Sequence, residues 1–251
     1  MNITVAMPVH NAALSAVTAA YQILDNIFCC EAAWQLLVID DHSNAEERAI
    51  LEHLGRMPGV RLAHTQDFID TPNPNLGWNV NWAMDQVTPE DDYFLHVESD
   101  VYLEPFCLRE LVRGIGDAAM ATPHYFSVCK RLATHSYPDC IPNVPIELIP
   151  KDAPVQTIKW GHLGCMLIRG DVARDRAIRI DADTFRLWYA DFDLCGSIVS
   201  KGHHIVYVPS AHVRHRGNVS SHAAPGGGAA WPGVLTQDEA RVCVQDKWGF
   251  D

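Results

Sequence analysis

The segment WQLLVIDDHS, residues 34–43, is an apolar run that ends in two aspartates, a histidine and a serine. The length of the run and its apolar residues predict a buried strand, and its polar end predicts the loop that follows. The segments ITVAMPVHN (3–11) and DYFLHVESD (92–100) show the same pattern of a buried run with a polar end. We therefore expect three strands that each finish in polar side chains.

The sequence between these strands has helical spacing. Apolar residues recur on one side of residues 12–30, and residues 44–57 begin with an asparagine cap followed by acidic residues. A further strand is predicted at 60–65 and a further helix at 78–87. Strands that alternate with helices predict an α/β fold, with a mostly parallel sheet flanked by helices. Because such sheets bind ligands at the carboxyl ends of their strands, the polar strand ends are expected to form one site.

The composition limits the classes of partner. The chain has 251 residues, which suits one large α/β domain or two small ones, and a formal net charge of −12. This charge argues against nucleic acid as a partner, because phosphate binding favours a basic face. The opening residues MNITVAMPV lack the features of a signal peptide, and no run has transmembrane length. A cytoplasmic protein is therefore expected, and peripheral contact with a membrane is left open. The eight cysteines show no CxxC spacing and are predicted to be reduced thiols, mostly in the core.

Glu98 and Asp100 end the predicted strand at 92–100 with two carboxylates that are two residues apart. Residues i and i+2 of a strand point to the same side, so the two carboxylates are expected to lie close together and to repel each other unless a cation holds them. The alternative is a strand that simply runs out into solvent.

The pattern weakens beyond residue 105. Residues 130–158 are rich in polar residues and proline and predict an irregular insertion, whereas 161–169 predict a strand and 185–202 a helix ended by glycine. A strand and the loop after it are predicted at 204–218. The Gly- and Pro-rich run at 216–233 is predicted to be flexible, and we hypothesise that it closes over a bound ligand.

Seven segments, in order along essentially the whole chain, resemble the motifs of family 2 glycosyltransferases of the GT-A fold. They are VAMPVHN, LLVIDDHS, NPNLGWNVNWAMD, LHVESDVYLEP, GHLGCMLIR, YADFDLCGSIVSKGHHIVYVP and AHVRHRGNVS. The resemblance implies a single GT-A domain over residues 1–251, with a nucleotide-binding half at about 1–104 and an acceptor-binding half at about 105–251. It further implies the transfer of a sugar, hexosyl in type, from a nucleoside-diphosphate sugar to a saccharide or other hydroxyl acceptor, with inversion.

The resemblance also implies roles for individual residues. Asp100, Glu98 and His215 would bind Mn²⁺ or Mg²⁺, with Glu98 acting directly, through water or through the ribose. The motif selects Asp191 rather than Asp193 as the catalytic base. Nucleotide binding is implied for residues near the strand ends: Pro8, His10, Asn11, Asp40, Asp41, Asn75, Gly77, Glu98, Ser99 and Asp100. One of the two aspartates at 40 and 41 is expected to cap the next helix instead.

The sequence departs from the family's pattern at three places. One is the Asn-x-Gly segment, which is a residue or two shorter than usual before its second asparagine, so Asn81 is given no role. Glu98 stands where the metal-binding DxD motif has its first aspartate, and Ala190 stands where a glutamate usually precedes the base. Acceptor specificity is expected to lie in residues 124–160. Trp160 and His162 are candidates for acceptor-side groups, although core packing explains Trp160 equally well.

Three alternatives remain open. The first is a non-catalytic nucleotide- or sugar-binding protein on the same fold, for which Ala190 leaves room. The second is a sugar nucleotidyltransferase, which would need a basic, Gly-rich loop near the N-terminus, and MPVHNAALS contains no basic residue of the lysine or arginine type. The third is a zinc site at His212 and His215, whose HxxH spacing follows a strand rather than lying on a helix.

Overall fold

The computed structural model describes residues 1–70, 73–127, 149–150, 152–216 and 234–249, except for the side chains of residues 126 and 127. Over these ranges the strands are β1 (Asn2–Val9), β2 (Ala33–Asp40), β3 (Val60–His64), β4 (Tyr93–Val97), β5 (Val101–Leu103), β6 (Met120–Ser127), β7 (Gln156–Ile158), β8 (Cys165–Arg169) and β9 (Ile205–His215). The α-helices are α1 (Ala13–Phe28), α2 (Ala45–Leu54), α3 (Leu76–Met84), α4 (Cys107–Ile115), α5 (Gly170–Arg174), α6 (Ala190–Ser200) and α7 (Gln237–Trp248).

These nine strands of the described residues form one sheet. Its order is β3-β2-β1-β4-β8-β6-β9-β5, and β7 pairs with β9 outside this path. Strands β1 to β4, β6 and β9 run in one direction, while β5, β7 and β8 run against them. The mostly parallel α/β sheet flanked by helices is therefore confirmed.

The core has two layers, one on each face of the sheet. Helices α1, α2 and α4 cover one face, and α3, α5, α6 and α7 cover the other. Strand β4 shows the cause, because Leu95 and Val97 face the first layer while Phe94 faces the second. Parallel strands that are covered on both sides are expected to be apolar almost throughout, as β1 and β2 are.

The register brings the polar strand ends to one edge of the sheet. Val9 pairs with Asp40, and Asp40 pairs in turn with His64. On the other side of β1, Ala6 pairs with His96, so the residues after Val97 emerge beside those after Val9. The predicted convergence of the strand ends is therefore observed.

Two helices begin at residues other than those predicted. Helix α3 starts two residues earlier, at Leu76, because the side chain of Asn75 caps it by accepting a hydrogen bond from Trp78 N–H. Helix α6 starts at Ala190 rather than at 185, because Tyr189 has a left-handed backbone with φ of 60°. This turn places Asp191 in the first turn of the helix.

Several sequence expectations concern residues outside the described ranges. Apart from Arg216, the predicted mobile run at 216–233 lies outside them. So does much of the segment 124–160 that was expected to bind the acceptor. The described part of that segment includes β7, a short strand that the polar composition did not predict.

Candidate active site

Glu98, Asp100 and His215 form a cluster at the edge of the sheet. Each offers one ligand atom, and the three atoms lie within 4.8 Å of one another. His215 Nε2 is 3.4 Å from an Asp100 carboxylate oxygen and 3.7 Å from a Glu98 carboxylate oxygen. Asp100 and His215 are buried, and Glu98 is partly exposed.

Strand pairing builds this cluster. Val101, which begins β5, pairs with His215, the last residue of β9. The backbone N–H of Arg216 also donates to the carbonyl of Asp100 over 3.0 Å. The antiparallel pairing of β5 with β9, two strands that are far apart in sequence, thus places the imidazole beside the two carboxylates.

The pKa values of Glu98 and His215 are both raised, as expected where two carboxylates lie close together. Burial and the neighbouring Asp100 raise the pKa of Glu98 to about 7, although His215 acts in the opposite direction. Burial lowers the pKa of His215, but the hydrogen bond to Asp100 and the two carboxylate charges outweigh it and raise that pKa. Two carboxylates and an imidazole are a donor set that fits Mn²⁺ or Mg²⁺, and a cation would relieve the repulsion between the acids.

Asp191 lies close enough to Glu98 that its charge raises the pKa of that residue. Burial raises the pKa of Asp191 itself to about 6, although hydrogen bonds from the backbone N–H groups of Phe192 and Leu163 oppose the shift. Phe192 N–H donates to Asp191 Oδ1 over 3.0 Å. A carboxylate whose pKa is close to neutral is well suited to general base catalysis.

The segment from His162 to Gly164 connects the cluster to Asp191. The carbonyl of Gly164 accepts a hydrogen bond from Glu98 N–H over 2.9 Å. The neighbouring Leu163 N–H hydrogen-bonds Asp191. The ring of His162 lies edge-on to that of His215, with 5.6 Å between the ring centroids. Three consecutive residues thus contact the backbone of Glu98, the carboxylate of Asp191 and the imidazole of His215.

Tyr125 holds this segment in place from β6. Its hydroxyl accepts a hydrogen bond from Cys165 N–H over 2.5 Å and donates toward the His162 carbonyl over 3.0 Å. A side chain at Gly164 would crowd its neighbours, because a Cβ atom would lie 3.0 Å from the Tyr125 ring and 3.2 Å from His162 Nδ1. The glycine in GHLG was the sequence signal for this close approach, but nothing in the sequence identified Tyr125 as its partner.

The carboxylate of Asp193, the rival candidate for the base, bonds to other residues of the fold. It is fully buried and accepts hydrogen bonds from Trp248 Nε1 (2.7 Å) and Asp181 N–H (2.6 Å). Lys247 Nζ lies 2.9 Å from the same carboxylate. These bonds fasten α6 to α7.

Asp40 is enclosed by protein donors. Its carboxylate accepts hydrogen bonds from Ser43 N–H (3.0 Å), Arg48 Nε (2.9 Å) and His64 Nδ1 (2.9 Å). Burial alone would raise the pKa of Asp40. The hydrogen bonds of His64 and Ser43 and the charge of Arg48 hold it below its ordinary value. Asp40 therefore closes the turn before α2, but the cap of that helix is Asn44, so the expectation that one of the two aspartates caps it is wrong.

Asp41 contacts the start of α3, which lies on the opposite face of the sheet from α2. Its Oδ2 accepts a hydrogen bond from Asn75 N–H over 2.9 Å, and its carbonyl lies 2.6 Å from His10 Nδ1. Asn11 joins the end of β1 to α2, since its Oδ1 accepts a hydrogen bond from Asn44 N–H over 2.8 Å. The loops after β1 and β2 and the start of α3 are thus one hydrogen-bonded unit.

The remaining predicted nucleotide-binding residues have small or buried side chains. Pro8 and Ser99 are buried at the ends of β1 and β4. Gly77 allows α3 to lie against the chain before α6, because a Cβ atom there would be 2.7 Å from the carbonyl oxygen of Phe185. Its N–H also donates to the backbone carbonyl of Arg186 over 3.3 Å. Gly77 therefore shapes the site through backbone packing.

His212 is not part of the cluster. Because it lies three residues before His215 on β9, the two side chains point to opposite faces of the sheet. The ring of His212 contacts that of His124, with 6.3 Å between centroids. The geometry gives no support to a zinc site that uses both histidines.

The chain is similar in structure to known glycosyltransferases. The S. aureus TarS 1–349 structure matches with a TM-score of 0.58 and 14% identity over 98% of this chain and 70% of that one. The complex of TarS 1–349 with UDP-GlcNAc matches over 92% and 62%, also at 14% identity and a TM-score of 0.58. GalNAc-T7 with UDP, GalNAc and Mn²⁺ matches with a TM-score of 0.66 and 12% identity. The match covers 98% of this chain but only 48% of the GalNAc-T7 chain, so the present chain spans about half of its length.

At such low identity these likenesses establish the GT-A fold alone. A comparison with curated protein sequences gives no significant match. The sequence model of glycosyl transferase family 2 matches residues 4–174, which include Glu98 and Asp100 but end before Asp191 and His215. Because that match covers well over half of the 251 residues, the chain belongs to glycosyl transferase family 2.

Proposed function

We propose that this protein is a metal-dependent enzyme that transfers a hexosyl group from a nucleoside-diphosphate sugar to an acceptor hydroxyl with inversion. The observation that carries the proposal is the cluster of Glu98, Asp100 and His215, with Asp191 within electrostatic reach of it. Family membership supports sugar transfer, and the geometry supplies candidates for each chemical task.

The first task is to stabilise the leaving group. Mn²⁺ or Mg²⁺ held by Asp100, His215 and Glu98 would offset the negative charge that gathers on the nucleoside diphosphate. Asp100 and His215 are the buried members and are assigned direct contacts, and the more exposed Glu98 can bind directly or through water. The Mn²⁺ in the GalNAc-T7 structure supports this assignment by analogy.

The second task is to activate the acceptor. We assign Asp191 as the base that takes the proton from the attacking hydroxyl. Its carboxylate is held by two backbone N–H groups, so its orientation is fixed before substrate arrives. Attack on the anomeric carbon from the side opposite to the diphosphate would invert the configuration of that carbon. Partial burial of the base favours the acceptor over bulk water.

The third task is to hold the nucleoside, which we assign to the first half of the chain, about residues 1–104. Asp41, His10 and Asn11 are proposed to contact the base or ribose, with Pro8 and Ser99 as walls. Asp40, Asn75 and Gly77 are proposed to support this pocket through the hydrogen bonds and close packing described above. The acceptor is assigned to the second half, about residues 105–251.

A panel of nucleotide sugars tests the proposal. UDP-sugars are the first choice, since the TarS and GalNAc-T7 structures hold UDP-GlcNAc and UDP. The thermal unfolding midpoint is measured with each sugar in the presence of Mn²⁺, Mg²⁺ or EDTA, and release of nucleoside diphosphate is then followed. Metal-dependent stabilisation by one donor, with turnover, is the expected result. No stabilisation by any donor would contradict the proposal.

One observation favours a second candidate, a non-catalytic binder on the same fold. Ala190 stands before the proposed base, where the family's pattern has a glutamate, and it is buried. A binder would be stabilised by donor and metal in the same panel, but it would leave the donor intact, both alone and with a range of hydroxyl acceptors.

A further inference from the structure

The ring of His162 occupies a distinctive position beside the metal-binding cluster. It lies 5.6 Å from the ring of His215 and 4.9 Å from that of Tyr125, measured between ring centroids. The next residue, Leu163, hydrogen-bonds Asp191. His162 therefore lies at the junction of the proposed metal site and the proposed base.

The hydrogen bond at one ring nitrogen of His162 fixes the state of the other. Gly164 N–H is 3.1 Å from Nδ1 and can only donate, so Nδ1 must be the unprotonated, accepting nitrogen. The neutral ring then carries its proton on Nε2. A protonated Nε2 cannot bind a cation, which excludes His162 as an additional metal ligand in this orientation.

The Nε2–H group of His162 has no acceptor within the described part of the chain. The side chain is only partly buried, and its Nε2 atom is accessible to solvent. It is thus an oriented donor, open to the surroundings, at the edge of a cluster whose other groups are acceptors or ligands.

We propose that His162 donates a hydrogen bond from Nε2 to an oxygen atom of the bound nucleotide sugar. This inference rests on the proposed function. Two oxygen sources fit a neutral donor next to the metal cluster, namely the diphosphate and a hydroxyl of the transferred sugar. In either case His162 selects for a ligand that presents an acceptor at this point, so it is a binding residue for the donor substrate.

Two amide substitutions separate this role from a structural one. In H162N, the asparagine oxygen can replace Nδ1 as the acceptor for Gly164 N–H, but no donor remains at the position of Nε2. In H162Q, the longer side chain can return an N–H donor to that position, while the bond to Gly164 is lost. H204N and H204Q serve as matched controls, because His204 is a partly exposed residue just before β9, at the other end of that strand from His215.

Binding of UDP and of intact UDP-sugars is measured for all variants with saturating Mn²⁺. We expect H162N to bind the UDP-sugar at least about five-fold more weakly than wild type, as for the loss of one hydrogen bond, and H162Q to recover most of the loss. An equal loss for UDP identifies the diphosphate as the partner, and a loss confined to the UDP-sugar identifies a sugar hydroxyl. Both results support the proposal.

The reverse order, with H162Q impaired and H162N normal, would show that His162 only supports the loop, and unchanged affinity in both variants would also overturn the inference. Thermal unfolding midpoints confirm that each variant is folded. If wild type binds no nucleotide from the panel of nucleoside diphosphates and nucleotide sugars, the proposed function fails and this inference fails with it. Normal wild-type binding with an unaffected H162N variant would overturn the His162 role alone.

Discussion

Replacing Asp191 with asparagine tests the assignment of the base most directly. The change keeps the size of the side chain and removes its ability to accept a proton. Loss of a general base typically slows turnover by about 10²–10⁴-fold. Because Asp191 is not one of the three ligand residues, the D191N variant is expected to bind donor and metal with nearly wild-type affinity.

The raised pKa of Asp191 also predicts how far turnover should fall as the pH is lowered. With a pKa of about 6, roughly 90% of Asp191 is ionised at pH 7 and roughly 10% at pH 5. Turnover of the wild type should therefore fall about ten-fold from pH 7 to pH 5, and this fall should be absent in D191N. The assay is release of nucleoside diphosphate at saturating metal and donor, so that titration of Glu98 does not contribute. D238N is a suitable control, since Asp238 is an exposed acid in the first turn of α7.

Stability distinguishes this role from a structural one. The pKa of Asp191 in the folded protein lies above its ordinary value of 3.8, so its ionisation disfavours the fold, and stability is lost as the pH rises from about 4 through 6. At pH 8 the free energy of unfolding of D191N should accordingly exceed that of wild type by an amount on the order of 1 kcal/mol. The reasoning is refuted if D191N keeps turnover within ten-fold of wild type, or if its activity still falls below pH 6.

Three further perturbations have defined outcomes. D100A should remove the metal-dependent part of UDP affinity, measured by calorimetry with and without Mn²⁺, while the unfolding midpoint in EDTA does not fall; an unchanged metal dependence would exclude Asp100 as a ligand. Mn²⁺ affinity should rise between pH 6 and 8, because Glu98, with a pKa of about 7, must release its proton, and a flat profile would remove Glu98 from the ligand set. D193N should lower the free energy of unfolding by about 2–4 kcal/mol in urea, because it weakens the buried bonds to Trp248, Asp181 and Lys247; an unaffected D193N protein would contradict the structural role.

Much of the fold was predictable because the buried strands have a clear sequence pattern. The apolar runs before Asp40 and Glu98 are long enough to be buried on both faces, and the polar residues after them mark the ligand edge of a parallel sheet. The start of α6 was not predictable from its apolar spacing. That start depends on the left-handed backbone of Tyr189, which no local preference of tyrosine indicates.

The candidate site was predicted less evenly. Glu98 and Asp100 were accessible to sequence reasoning, because two residues of spacing on a strand places both carboxylates on one side. His215 was found only through the order of family motifs, since its approach to Asp100 depends on the pairing of β5 with β9. The contacts made by the N–H of Leu163 and the carbonyl of Gly164 left no trace in the sequence, since every residue but proline carries both groups.

The pairing of Val101 with His215 also affects the order of folding. The two acids of the cluster are translated more than a hundred residues before their histidine, and β9 must insert between β6 and β5 before the three side chains meet. Contacts of such long sequence separation form late and are expected to slow folding. A divalent cation that binds all three groups would favour only the state in which β9 has docked, so it should retard the release of that strand. Hydrogen exchange in the central residues of β9 would then report occupancy of a site at its end.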